Sequence, residues 1–160
     1  MVNGKQKGSS FEREACVAFS LWLSKGQHKD LLWRSAMSGG RATVSRGTVR
    51  QAGDICAVAP EGHILTDRLY LECKHLRDIS LDSLIKGKGP LLEIWKKTKE
   101  EAAKYTKVPV LVFRQNHYPT VVCTNKDGIQ FLDATKLVLI KSRDMCLLKF
   151  DDLMKTECKL

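Results

Sequence analysis

Residues 53–75, GDICAVAPEGHILTDRLYLECKH, carry the pattern on which the fold turns and most of the chemistry that the chain offers. DICAVA, then Pro60-Glu61-Gly62, then RLYLECKH reads as strand, turn and strand, which predicts a β-hairpin. Alternate side chains of a strand share a face. Leu69, Leu71 and Cys73 therefore make an apolar face, and Tyr70, Glu72 and Lys74 make the opposite one. Glu72 and Lys74 thus stand side by side in an otherwise apolar strand that reads as central. As an exposed ion pair they would contribute less than about 1 kcal/mol. Charges placed in an apolar strand need a reason, and that favours a working surface. Asp54 opens the first strand directly after Gly53. It also reads as a turn residue, but antiparallel return of the chain would carry it toward Glu72 and Lys74.

Two carboxylates converging at one sheet edge repel each other unless a cation lies between them. Mg²⁺ suits such a place, because it accepts one or two carboxylates, keeps several waters and takes phosphate oxygens; Mn²⁺ is the natural substitute. A neighbouring lysine can orient or help deprotonate a water, or stabilise the charge that builds up on phosphorus. These are the requirements of phosphodiester hydrolysis.

Upstream, SSFEREACVAFSLWLSKG repeats Phe11, Ala15, Ala18, Phe19, Trp22 and Leu23 at helical spacing, with Gly26 as a stop. LLWRSA (31–36) reads as a short strand with Trp33 in the core. MSGGRATVSRGTVRQAG (37–53) contains glycines, Arg41, Arg46 and Arg50 and no acid, which predicts a basic flexible loop over about 35–53. Downstream, Pro90 suits the first turn of a helix. Leu91, Trp95, Thr98, Ala102 and Tyr105 form its apolar face, and Lys96, Lys97, Lys99 and Lys104 its solvated one. VPVLVFRQ and TVVCTN read as strands, followed by short strands near 129–132, 137–141 and 145–149 and a last helix from Asp151. This order predicts an α/β domain with a central mixed β-sheet flanked by helices.

The chain has 160 residues, enough for one domain over 1–160. Lys and Arg number 27 against 18 acids, a net charge of +9, which suits a polyanion such as nucleic acid. No apolar run spans a bilayer, and the start lacks a signal peptide. The expectation is a cytoplasmic protein of a bacterial or phage-infected cell, or a nuclear one in a eukaryote. Cys16, Cys56, Cys73, Cys123, Cys146 and Cys158 form no C-x-x-C pair, so they read as reduced, mostly buried thiols.

The pair Gly53-Asp54 followed by Leu71-Glu72-Cys73-Lys74 resembles the PD-(D/E)xK nuclease superfamily, with glycine in place of the proline. KGSSFERE (7–14) and WRSAMSGG (33–40) are similar to the beginning of archaeal Holliday junction resolvases and related phage nucleases. The likeness covers about the first half of the chain. It implies a restriction-endonuclease-like core and a Mg²⁺-dependent DNA endonuclease without a small-molecule cofactor. Carried over by position, Asp54 and Glu72 bind metal with Glu12 assisting, and Lys74 is the catalytic lysine. Arg13, Arg34 and Ser38 contact substrate phosphates. The 35–53 loop departs from the resolvase pattern in being longer and richer in arginine; by its charge and glycines, not by the resemblance, Arg41, Arg46 and Arg50 would close on the backbone. The resemblance further implies a homodimer acting on branched DNA. Glu12 has a competing reading, since Ser9-x-x-Glu12 fits a capping box, and Glu14 is the rival helix acid. The alternatives to a resolvase are a nicking or sequence-preferring endonuclease of a phage or mobile element, a non-catalytic nucleic-acid binder that retains the fold, and an RNA-processing enzyme.

Overall fold

The computed structural model describes residues 4–35, 52–80, 83, 86–135, 138–140 and 143–159. The first helix, α1 (Gly4–Leu23), buries Phe11, Ala15, Cys16, Phe19 and Trp22 along one stripe. It stops where expected: Gly26 has φ +85 and its N–H reaches the Leu21 carbonyl at 2.7 Å, a glycine-terminated helix end. It starts earlier than expected. Residues before Ser9 are already helical, so Ser9 does not cap the helix and the capping-box reading of Glu12 fails.

Strands β1 (Leu32–Arg34) and β2 (Ile55–Ala57) pair antiparallel, with Trp33 opposite Cys56 and Arg34 opposite Ile55. The hairpin expected over 54–75 does not form. Pro60–Gly62 makes a 3₁₀ turn that runs into the short helix α2 (His63–Thr66). A hairpin needs a short reversing turn; here coiling leaves β2 to pair backward with β1.

Strand β3 (Leu69–Leu76) instead pairs in parallel with β4 (Val108–Gln115) across the connecting helix α3 (Pro90–Lys104). Such a crossover is what a parallel pair requires. Strand β5 (Val121–Thr124) and helix α4 (Lys126–Phe131) follow. The chain then forms β6 (Val138–Ile140), β7 (Met145–Lys149) and α5 (Phe150–Lys155). The sheet order is β3-β4-β5-β7-β6, with every pair after β3–β4 antiparallel. The strand expected near 129–132 is a helix, because the Asn125 side chain accepts the Gly128 N–H at 2.9 Å and caps it.

Strand alternation divides the core into two layers. Leu69, Leu71, Cys73, Val110 and Val112 face α1 with Phe11, Ala15 and Phe19. Leu111, Phe113, Cys123 and Met145 face α3 with Leu91 and Trp95. The central mixed sheet is thus covered by helices on both sides, a restriction-endonuclease-like α/β fold. β3 occupies the end of the sheet rather than its centre, contrary to the reading of its apolar composition. That edge is where Gly53 and Asp54 arrive.

Candidate active site

Gly53 forms a parallel bridge to Leu71, and the Asp54 N–H donates to the Leu71 carbonyl at 2.7 Å. Gly53 has φ +94, and a Cβ there would lie 2.6 Å from the Leu71 oxygen. Proline, held near −65°, cannot take this conformation. The departure from the superfamily's proline therefore has a local cause: the chain makes a close, left-handed approach to β3. The sequence reading brought Asp54 to Glu72 by antiparallel return. The approach is parallel, but the two residues still meet. Asp54 Oδ2 accepts the Cys73 backbone N–H at 2.9 Å, which aims the carboxylate across β3. From the other side, the Ser35 N–H donates to the Asp54 carbonyl at 2.8 Å.

The Lys74 ammonium sits between the acids. Its Nζ lies 3.7 Å from Asp54 Oδ2 and contacts Glu72 Oε1 directly. It also donates to the Cys73 carbonyl at 3.3 Å. Burial pushes the Asp54 carboxyl above its ordinary pKa, and Glu12 adds to the rise; Lys74 and the Cys73 N–H oppose it. Burial and then Asp54 raise Glu72, against the pull of Lys74. Burial alone would lower Lys74, but the two carboxylates outweigh it and hold the ammonium above its usual range. The three charges are therefore mutually dependent. Asp54 and Glu72 are kept together at a cost, and Lys74 is the counter-charge that makes this tolerable.

Tyr70 belongs to the same face, a residue that the sequence reading placed there without giving it a role. Its hydroxyl donates to Glu72 Oε2 at 3.4 Å, and its ring stacks on Tyr105, just past the end of α3, at 6.3 Å and 16°. The sequence signal was available: Tyr70 precedes Glu72 by two, so alternation puts both on one face. His75, which alternation puts on the face of Leu71 and Cys73, lies off this cluster, against Phe11 at 6.0 Å and Asn116 Oδ1 at 3.0 Å.

On α1, Glu12 is largely buried and pairs with the Arg34 Nε. Glu14, half exposed, pairs with Arg114 Nη1 at 2.7 Å, and that guanidinium also covers the Phe11 ring at 4.8 Å. The two helix acids differ in their surroundings: Glu12 pairs with Arg34 and its charge raises the Asp54 pKa, while Glu14 ties α1 to β4. Arg13 is exposed on α1. Ser38, Arg41, Arg46 and Arg50 lie outside the described residues. Trp33, expected in the core, is 50% exposed.

Among the described residues, no three His, Cys, Asp or Glu side chains stand close enough to form a metal cage. Asp54 and Glu72 offer two hard carboxylate donors at a place already occupied by positive charge. That fits Mg²⁺, which is ordinarily held by one or two carboxylates with water and substrate oxygens completing its shell. It does not fit a four-ligand structural zinc site. The six cysteines are free thiols. Cys16 and Cys73 lie beneath the acids, and burial pushes the Cys16 thiol up to about 12.

A mixed sheet flanked by helices, with an Asp and a Glu-x-Lys converging at its edge, has the architecture of a PD-(D/E)xK nuclease. Residues 3–159 match the family described as "Phage putative PDDEXK endonuclease". The chain belongs to this family, and so to the nuclease hydrolases. No curated protein and no solved structure matches it.

Proposed function

We propose that the protein is a metal-dependent DNA endonuclease whose phosphodiester-cleaving centre is Asp54, Glu72 and Lys74. The observation that carries this reading is the Lys74 ammonium held between two largely buried carboxylates whose pKa values are both raised. A purely structural ion pair needs one acid, and a second one nearby raises the cost of burial. Mg²⁺, or Mn²⁺ in its place, would be held by Asp54 and Glu72 and would supply Lewis-acid activation of a water and of the scissile phosphate.

The chain's own residues do the rest. The Cys73 N–H and Gly53 orient Asp54, and Tyr70 orients Glu72. Lys74, whose ammonium form the two carboxylates favour, positions the attacking water and stabilises charge on the phosphoryl oxygens. Glu12 would assist Asp54 and Glu72 in holding the metal and sets the direction of Arg34, which with Arg13, Ser38, Arg41, Arg46 and Arg50 holds the DNA backbone. The substrate is branched DNA, cut by a homodimer in the cytoplasm of a phage-infected cell. The resemblance of KGSSFERE and WRSAMSGG to resolvase segments supports this.

The test uses labelled four-way junction, linear duplex, nicked duplex and single strand, each with Mg²⁺ or EDTA, alongside Lys74→Ala. Paired, metal-dependent cuts confined to the junction and lost in the variant are expected. Cutting of linear duplex would retain the chemistry and remove the junction preference. DNA binding without any cutting would make the protein a binder.

A further inference from the structure

Trp33 is the feature that the proposed chemistry leaves unused. The chain has three tryptophans. Trp22 and Trp95 are buried, and their indole N–H groups bond to the Thr156 and Arg143 carbonyls. Trp33 is half exposed in the middle of β1, on the face opposite to buried Leu32. Its cross-strand partner is Cys56, and Val58, further along the same chain, is 61% exposed.

This ring is tied to the acids through rigid structure. Arg34, the next residue, pairs with Glu12, and the Ser35 N–H bonds to the Asp54 carbonyl. Trp33 stands opposite Cys56, two residues from Asp54. That places it about 7 Å from Asp54 along the strand direction, the scale of two nucleotide steps at about 3.4 Å each.

Size decides between a protein partner and a base. A tryptophan side chain offers about 150–250 Å² in all, and half of one plus a valine falls far below the roughly 800 Å² per partner of a stable protein interface. One aromatic face is, however, what a single nucleobase needs, since stacking on it is strong and tolerant of sequence. The chain's charge of +9 favours a nucleic-acid occupant. In an intact duplex both faces of each base are already stacked, so only an unpaired or end base has one to offer.

We propose that Trp33 is a stacking platform for an unpaired nucleobase flanking the scissile phosphate, and that it makes the enzyme prefer DNA with disrupted pairing. The preference rests on the nuclease reading above, but stacking itself does not require cleavage. The experiment therefore reads binding and cleavage separately. In EDTA, tryptophan fluorescence and anisotropy are followed as wild type, Trp33→Phe and Trp33→Ala are titrated with labelled duplex and with the same duplex carrying a short unpaired segment. The expected result is quenching by the unpaired substrate only. Its affinity falls about ten-fold or more in Trp33→Ala and is partly kept in Trp33→Phe, with duplex affinity unchanged.

Binding without quenching, or equal losses on both DNAs, would overturn the proposal. So would a concentration-dependent dimer in sedimentation that Trp33→Ala abolishes, because the patch would then be a contact between copies. Unchanged melting temperatures certify the fold of the variants, as expected for an exposed side chain. Cleavage is then measured with Mg²⁺: selective quenching by a protein that cuts nothing refutes the nuclease reading while leaving the platform standing.

Discussion

Lys74→Met removes the cation that Asp54 and Glu72 share while keeping much of the side chain's bulk. At the 3.7 Å separation from Asp54, the Coulomb attraction at an effective dielectric near 20 is about 4 kcal/mol. The Lys74 side chain is 39% exposed, so solvent screening reduces this substantially. Stranding two buried acids without a partner works the other way, in a range of about 3–5 kcal/mol for fully buried pairs. A loss of about 2 kcal/mol follows, which for a chain of this size lowers Tm by about 4–8 °C.

The pH dependence has a defined sign. Without Lys74, the Asp54 and Glu72 pKa values rise further above their unfolded values. A carboxyl raised on folding contributes its stability at low pH and loses it as pH rises through the folded pKa. The variant's deficit should therefore be larger at about pH 8 than at about pH 5, because lowering the pH favours the protonated acids. Thermal melts by circular dichroism at both pH values, in EDTA, measure it. Mn²⁺ should then restore the variant more than the wild type, because the divalent ion replaces the missing charge. An unchanged Tm, or a deficit equal at both pH values, would refute the argument that the acids are held together by Lys74.

Three further outcomes follow from the same geometry. Gly53→Ala meets the Leu71 oxygen and forces an L-residue to φ +94, so urea unfolding should show a loss of about 1–3 kcal/mol, and cleavage should fall as Asp54 is displaced. Tyr70→Phe removes the hydroxyl that favours ionised Glu72; the acid limb of the pH–rate profile should move upward, with a several-fold lower rate near its old midpoint and little change in Tm. Cys56 is half-buried while the other five cysteines are buried, so an aromatic disulfide reagent should modify Cys56 well before the rest in the native protein. Rapid reaction of Cys16, whose thiol is pushed up to about 12, would contradict the packing under the acids.

The layers of this fold were legible because they rest on periodicity. The apolar stripe of α1, the Pro90 start of α3 and the alternation in β3 all survive in the structure. What failed depended on partners that lie far apart in the sequence. Alternation in 54–59 identifies a strand but not its neighbour, and β2 pairs with β1 instead of β3. The apolar run at 129–132 looks like strand until Asn125 is recognised as a helix cap. β3 reads as central because Leu69, Leu71 and Cys73 are buried, yet that burial comes from α1 covering one face, not from strands on both edges.

The acidic cluster was legible because it is mostly local: Glu72 and Lys74 share a face by spacing alone. The arrival of Asp54 was reached for the wrong geometric reason. Gly53 determines it, and its φ of +94 left no mark in the sequence beyond the glycine itself. Trp33 was misplaced because a three-residue strand has too few positions to reveal which face is buried.

The central claim is that hydrolysis depends on a divalent metal held by Asp54 and Glu72. Its most direct test is the single-turnover rate of DNA cleavage across a Mg²⁺ titration, for wild type, Asp54→Asn and Glu72→Gln. The account predicts a saturable, EDTA-sensitive rate in wild type and a loss of about a thousand-fold or more in each variant, with folding intact. Cleavage that persists in EDTA, or that survives either substitution, would contradict it.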